Sequence, residues 1–348
     1  MAEARVALRA EASAAIGLGH VRRMLDLATA LTAAGADVRH AGGPETCAVL
    51  TGLGTDPARV VRCGADPGWI EAEGITHIVA DLQWPGNAGA AAGIAALCES
   101  GRPVTVIDSM PPDQFDTAPG AVSPRLVVTP YLDAATLRAP PRARDWATGP
   151  AFAILDASYA AAREVLDPGR PLPRRVLVSC GGSDPSGLSL RVARALAPTG
   201  LSTDLIVGPL FADREVRALE ALAGTAPGLC LHPPQPGLAG MIARAGLVVG
   251  RVGLLRYQAA VLGRTGLYLH EGPAFRAYLE GFAAAGLAEV FFAEDPQGEA
   301  RFLDRLAGLA DPARLSHVLT LNRAALAAVD GAGAARVAAR ILAQGKER

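Results

Sequence analysis

Short apolar runs alternate along this chain with longer stretches whose apolar residues recur at helical spacing. Arg5–Arg9 reads as a β-strand, and the positions Val21, Met24, Leu25, Ala28 and Leu31 that follow recur every three or four residues, as one buried face of a helix requires. Together they predict one β-α unit. Further strands are predicted over Asp37–Ala41, His77–Asp81 and Val104–Asp108, separated by Ala-rich helical stretches such as Asn87–Glu99. Strands that alternate with helices imply a parallel, doubly wound sheet.

The breaker-rich segment Asp167-Pro168-Gly169-Arg170-Pro171-Leu172-Pro173 interrupts the alternation, and a new strand starts at once over Arg175–Cys180. The pattern then repeats, with strands predicted over Asp204–Val207, Leu229–Leu231, Leu247–Gly250, Leu267–His270 and Val290–Phe292. This predicts two domains, residues 1–166 and 174–348. The tail from Pro312 to Leu342 is helical in pattern, interrupted near Gly331 and Gly333, and is expected to pack back across the first domain. The fold class expected is α/β, with two Rossmann-like domains whose parallel sheets face a central cleft. No internal repeat with a period of about 20–50 residues is present, which excludes a solenoid or propeller.

Length and composition agree with this reading, since 348 residues suit two cores and 50% of them are apolar. The 33 basic residues against 34 acidic ones leave a net charge of −1, without the basic footprint of a nucleic-acid binder. A phosphate contact would therefore have to be local. Glu3, Arg5, Arg9 and Glu11 do not suit a secretory leader, and no stretch reaches the ~18 apolar residues of a membrane span, so a cytoplasmic location is expected. The five cysteines, Cys47, Cys63, Cys98, Cys180 and Cys230, are scattered without CxxC spacing and read as small buried hydrophobes rather than as a zinc site or a disulfide framework.

Three strand-to-helix turns carry candidate chemistry. In Ile16-Gly17-Leu18-Gly19-His20-Val21-Arg22-Arg23-Met24, Gly17 and Gly19 deliver His20 to the start of the first helix, at the carboxyl end of a strand where open α/β sheets bind ligands. A helix N-terminus disfavours imidazolium, which suits His20 to act as a general base; the alternative is a tight turn with an ordinary helix-start residue. Arg22 and Arg23 oppose the helix dipole, so a nearby anion would account for at least one of them. Asp81 and Asp108, each ending a strand, face the same crevice and could orient the base, bind sugar hydroxyls or cap helices. The loop Gly181-Gly182-Ser183-Asp184-Pro185-Ser186 reads equally as a phosphate or sugar cradle and as a capped turn. The third turn, Gly250-Arg251-Val252-Gly253-Leu254-Leu255-Arg256-Tyr257-Gln258, offers Arg251 or Arg256 to a diphosphate and Gln258 to ribose hydroxyls, with ordinary packing as the alternative. His40, His77, His232, His270 and His317 stand alone and read as structural.

Taken in order, these motifs resemble the UDP-2,4-diacetamido-2,4,6-trideoxy-β-L-altropyranose hydrolase family of pseudaminic acid biosynthesis, itself similar to the MurG-type glycosyltransferases. The likeness runs through Arg9, Ser13, Ile16–His20 and Arg23, the strand ending at Asp81, Val106-Ile107-Asp108, Gly149–Leu155 and Val178–Pro185. It implies a GT-B fold and hydrolysis of a UDP-sugar at its anomeric carbon without a metal or other cofactor. His20 would be the catalytic base. Gly17, Gly19, Arg23, Asp81, Gly181, Gly182, Ser183 and Asp184 would lie about the substrate, and Gly250, Arg251, Gly253 and Gln258 about the nucleotide. An acidic residue is usual in this family where Glu11 stands. Val252-Gly253-Leu254-Leu255 and Tyr257-Gln258 replace a Gly-Gly-Ser-Thr-like loop and a Trp-Glu pair, and an Asn-Gln pair expected near Glu271-Gly272 is absent. The other readings are a GT-B glycosyltransferase and a catalytically inactive accessory protein that binds a nucleotide sugar. In each, the expected partner is a small nucleotide sugar.

Overall fold

A computed structural model describes residues 4–64, 66–82, 87, 89–107, 123–132, 143–272 and 275–344. Asp108 lies outside them. The chain divides into two compact units, the first running to Ala157 and resuming at Gly331, the second spanning Ser158–Asp330.

The first unit runs β1 (Arg5–Ala10), α1 (Gly19–Ala33), β2 (Asp37–Gly42), α2 (Pro44–Gly52), β3 (Val60–Arg62), α3 (Trp69–Ala72), β4 (His77–Asp81), α4 (Ala90–Glu99), β5 (Val104–Ile107), β6 (Leu126–Thr129) and β7 (Asp145–Thr148). Its strands form one parallel seven-stranded sheet in the order β3-β2-β1-β4-β5-β6-β7. Every residue of β4, β5 and β6 is buried, as expected of central strands covered on both faces.

The chain continues through α5 (Ala157–Glu164), β8 (Arg175–Ser179), α6 (Leu188–Leu196), β9 (Ser202–Ile206), α7 (Asp213–Ala223), β10 (Leu229–His232), α8 (Ala239–Arg244), β11 (Leu247–Arg251), α9 (Leu255–Val261), β12 (Thr265–His270), α10 (Arg276–Ala284), β13 (Glu289–Phe292), α11 (Gly298–Ala307), α12 (Pro312–Val318) and α13 (Arg323–Ala328). Here the parallel sheet has six strands, ordered β10-β9-β8-β11-β12-β13. Val178, Val192, Leu205, Val249, Leu267 and Phe302 meet in its core.

The division between the units lies ahead of the breaker-rich segment Asp167–Pro173, and the contacts of α5 supply the reason. Tyr159 is buried and its hydroxyl accepts from the Leu238 N–H (3.3 Å), while Arg163 Nη1 donates to the Val329 carbonyl (2.7 Å), so this helix is bonded into the second unit. The last helix, α14 (Gly333–Ala343), belongs to the first unit and packs on α1. Its Ala334, Val337, Ala338 and Ile341 are buried, as are Val21, Met24, Leu27, Ala28 and Leu31 of α1. Each large apolar side chain so buried contributes about 1.5–3 kcal/mol. Gly333 is required where α14 begins, because a Cβ there would stand 2.1 Å from the Ala153 carbonyl oxygen. No helix among the described residues is long and apolar enough to cross a membrane.

Three strands have no counterpart in the sequence pattern. β3, β6 and β7 span only three or four residues each, and β7 reads Asp-Trp-Ala-Thr with its first residue exposed at the sheet edge. β3 has only three residues, β6 lies between the breakers Pro124 and Pro130, and β7 has no apolar run.

Two polar residues of α1, Arg23 and Asp26, are buried. Asp26 is buried, and its pKa is raised to about 7 by that burial and by the neighbouring Asp156 charge, against the opposing effects of Arg22 and a backbone hydrogen bond at Asp156. In the unfolded chain the group ionises near 3.8. The stability compatible with its neutral form is therefore fully present below about pH 4 and is lost as pH rises through about 7. Asp26→Asn should leave the melting temperature at pH 4 nearly unchanged and raise stability at pH 8 by on the order of 2–4 kcal/mol. Melting curves across this range check the expectation; a difference independent of pH would refute it.

Candidate functional site

In a doubly wound sheet the crevice opens where strand order reverses, between the carboxyl ends of the two strands that diverge. In the first unit these strands are β1 and β4, paired with Ala10 opposite Asp81. The chain leaving β1 makes a small loop closed by the Gly17 N–H to the Ser13 carbonyl (2.8 Å) and by the Ile16 N–H to the Ser13 hydroxyl (3.0 Å). Gly17 has φ +83°, a conformation that suits glycine and strains other residues. α1 then starts at Gly19 with no side-chain cap and no acidic residue in its first turn.

His20 and Arg23, three residues apart, share one face of α1, and both reach Asp81. His20 Nδ1 lies 2.8 Å from Asp81 Oδ1, while Arg23 places Nε 2.7 Å from Oδ2 and Nη2 2.8 Å from Oδ1. The Asp81 side chain has no solvent exposure, and that of His20 is 12% exposed. Burial alone would push the Asp81 pKa up, but Arg23 and His20 together outweigh it and hold the value at about 2. A carboxylate ionised at neutral pH accepts hydrogen bonds only, so Nδ1 of a neutral His20 is the protonated nitrogen and Nε2 carries the basic lone pair. The anion expected near Arg22 and Arg23 is thus Asp81 for Arg23, whereas Arg22 acts electrostatically on Asp26. Among the described residues, the bonds of Asp81 go to the His20 imidazole and the Arg23 guanidinium.

A second polar knot lies beside the same strand end. Glu11 accepts from Arg9 Nη2 (2.5 Å), the Gly43 N–H (3.1 Å) and the Thr46 hydroxyl, tying the exit of β1 to the start of α2. The family resemblance marked Glu11. Nothing in the sequence marked Thr46 or Gly43 as its partners, since these contacts join residues more than thirty positions apart.

In the second unit the order reverses between β8 and β11, and the two remaining candidate loops stand there. Gly181 follows β8 with φ +101°. Asp184 is buried; its Oδ1 accepts from the Leu188 N–H (3.0 Å) and its Oδ2 from the Ser189 N–H (2.7 Å), so it caps α6 from four residues away. Those N–H groups are the ones an anion at this helix end would use. Of the two readings left open for the loop, the capped turn describes Asp184. Ser183 is buried beside it, and the Gly182 carbonyl accepts from Leu210 (2.9 Å).

Gly250 has a packing reason: a Cβ there would lie 1.9 Å from the Ser179 carbonyl oxygen, so glycine permits the close approach of β11 to β8. Gly253 has open space around its Cβ position, and Gln258 is buried on α9. Arg251 places Nη2 2.7 Å from Glu271, 3.0 Å from the Ser186 hydroxyl and 3.5 Å from Asp184 Oδ1. Arg191 joins Glu271 (3.6 Å) to Glu299 (2.5 Å). Arg251 therefore stands over the Gly181–Ser186 loop and is countered by Glu271. Arg256 instead stacks on Tyr257, 4.5 Å from the ring centroid, and donates to the Gly253 carbonyl.

One cysteine departs from its expected setting. Cys63 and Cys180 are buried, but Cys230 is exposed because β10 is an edge strand. Facing Asp204 across the ladder and two residues from His232, it completes a group of three metal-type donors lying within 4.8 Å of one another. The Asp204 oxygens are engaged by Arg175 (2.7 Å) and His232 (2.8 Å).

The sequence matches no family model and no curated protein. The structure is similar to solved structures along its whole length. MurG of Acinetobacter baumannii matches with a TM-score of 0.61 at 16% identity, covering 98% of this chain and 99% of that one. S. aureus MnaA, in a co-structure with UDP, matches with 0.64 at 12% identity, covering 99% and 97%. The glycosyltransferase VinC, in complex with dTDP, matches with 0.62 at 14% identity, covering 98% and 100%. At these identities the likeness is one of fold: two parallel-sheet α/β units of the GT-B type.

Breaking the buried cluster should be costly. Asp81→Asn leaves the Arg23 guanidinium buried without its counter-charge and should lower stability at pH 7 by about 3–5 kcal/mol, measured by denaturant unfolding. Because the folded pKa lies below the ordinary 3.8, the stability Asp81 contributes is present above about pH 4 and lost as pH falls through about 2. The gap between wild type and variant should narrow over that window. A gap of the same size at pH 7 and pH 2.5 would refute it.

Proposed function

We propose that this chain is an enzyme that takes a nucleotide-activated sugar and transfers it to a hydroxyl acceptor, with His20 as the general base. The observation that carries the proposal is the His20–Asp81 hydrogen bond at 2.8 Å, with Asp81 held ionised by Arg23, which assigns the basic lone pair to Nε2. The wider fold supports a nucleotide-sugar substrate, since the similar structures include a glycosyltransferase bound to dTDP and a protein bound to UDP.

In the step proposed, Nε2 takes the proton of the acceptor hydroxyl as its oxygen bonds to the anomeric carbon. The bond from that carbon to the phosphate oxygen breaks, and its electron pair leaves with the nucleoside diphosphate. Attack opposite the leaving group inverts the anomeric configuration. Within the second unit, Arg251 is the cation assigned to phosphate, where binding would exchange the Arg251–Glu271 pair for a charge-assisted pair. Gly253 and Gln258, on the following turn and helix, are assigned to the nucleoside.

Hydrolysis is the second reading. It is favoured by the Ile16–His20 and Val178–Pro185 segments, which resemble those of the UDP-sugar hydrolases of pseudaminic acid biosynthesis. Water then replaces the acceptor, and the chemistry at His20 is otherwise the same.

Phosphorus NMR of the purified protein with a panel of UDP-, dTDP-, GDP- and CMP-sugars, with and without sugar and polyol acceptors, separates these readings. Nucleotide release (nucleoside diphosphate, or CMP from the CMP-sugars) that needs an acceptor supports transfer, and release in water alone supports hydrolysis. In either case His20→Ala should slow release by about 10²–10⁴-fold. Release unaffected by His20→Ala, or tight binding with no release under any condition, would overturn the assignment of His20 as base.

A further inference from the structure

The sheet of the first unit has a second concave feature at the end opposite His20 and Asp81. Arg125 and Arg144 immediately precede β6 and β7, and Arg102 stands two residues before β5. These positions are the amino ends of parallel strands, away from the carboxyl-end crevice. The side chains line two adjoining hollows. The larger, about 660 Å³, is bordered by Arg125, Arg144, Arg340 and Gln344; the other, about 420 Å³, shares Arg125, Arg144 and Gln344 and adds Arg102. The sizes fall in the range of small-molecule sites, about 300–1,000 Å³.

The charges around these hollows are uneven. Among the described residues, four arginines line them against two acidic residues, Asp145 and Glu99. Asp145 is engaged by Arg340 at 2.7 Å. Neither Arg102 nor Arg144 forms an ion pair among the described residues. Guanidinium groups gathered in this way repel one another, and an anion among them would relieve that repulsion while accepting several charge-assisted hydrogen bonds.

Gln344 supplies an independent observation. It is 9% exposed, and neither Nε2 nor Oε1 of its amide has a hydrogen-bond partner among the described residues. A buried amide without partners costs free energy unless something fills its place, and this one borders both hollows. Its Nε2 is a neutral donor beside the arginines, and the combination of planar cations with a fixed amide suits a phosphate group.

We infer that Arg102, Arg125, Arg144 and Gln344 form a second site, distinct from the proposed reaction centre, that binds a phosphate-bearing ligand. The larger hollow admits a nucleotide-sized molecule, and the same chemistry would accept the phosphate of a lipid headgroup.

Inorganic pyrophosphate is the probe for the free ligand, titrated calorimetrically into wild type, Arg102→Ser/Arg144→Ser, Gln344→Leu and Arg251→Ala. Flotation with phosphatidylglycerol vesicles, against phosphatidylcholine vesicles, is the probe for the headgroup. The double variant should keep the wild-type melting temperature, since neither arginine is ion-paired among the described residues, and should bind at least about tenfold more weakly, the loss expected when charge-assisted hydrogen bonds are removed. Gln344→Leu should weaken binding in the same direction, while Arg251→Ala should leave this event intact. Pyrophosphate binding lost in the double variant supports the site with a soluble ligand; vesicle binding alone, lost in the same variant, supports it with a headgroup. If wild type and double variant behave alike with both probes, the inference is overturned.

Discussion

The buried carboxylate of Asp81 is the constraint on which the first unit's crevice depends. It ends a central strand with no exposure to solvent, a position that would normally drive an acid to its neutral form. Two groups from one helix prevent this. Arg23 binds both carboxylate oxygens, and His20 binds one of them, so the negative charge is retained and α1 is fixed against β4. Removing either Arg23 or Asp81 would leave a buried charge without compensation. The same bonds that position the helix therefore also set the imidazole tautomer.

The second unit applies the same topology with different polar contacts. Its strand order also reverses beside the first strand of the sheet, and a glycine turn again follows that strand. There the buried acid, Asp184, is stabilised by backbone N–H groups rather than by an arginine and a histidine. The cation at the neighbouring strand end, Arg251, is held mainly by Glu271, at a partly exposed position where an anionic ligand could replace a carboxylate at modest cost. The first crevice thus presents the His20 imidazole, and the second presents a cation whose carboxylate partner is partly exposed.

Most strands and the two-sheet plan were legible in the sequence because long apolar runs and helical periodicity are local signals. His77–Asp81 is observed as predicted, and Arg175–Cys180 differs by one residue. β3 escaped because it has only three residues, β6 because Pro124 and Pro130 bracket it, and β7 because it has no apolar run and is polar at its edge. Proline and glycine mark where the chain turns, whereas Tyr159 and Arg163 decide which core α5 joins. At the site, helix position singled out His20, and strand ends placed Asp81 toward the same crevice. Their hydrogen bond and the commitment of Arg23 to Asp81 are contacts between residues about sixty positions apart, which no local motif encodes. The Gly250 turn showed the opposite hazard, since its glycine satisfies backbone packing and looks the same in sequence as one that receives a ligand.

Helix α1 shows how little of this chemistry follows from residue type alone. His20, Arg23 and Asp26 recur every three residues along it, and two carboxylates meet this row of side chains with opposite results. Asp81 is the more deeply buried, yet it titrates at about 2 because Arg23 binds it directly. Asp26 has only a more distant arginine, and faces the charge of Asp156 as well; its pKa rises to about 7. Burial sets the penalty in both cases, and a bidentate partner decides its outcome. Exchanging the partners along the helix would place a neutral acid beside His20, where it could no longer hold the imidazole with Nδ1 as donor and Nε2 as base. The spacing that puts Arg23, rather than Asp26, one turn after His20 is thus the sequence feature from which the proposed reactivity follows.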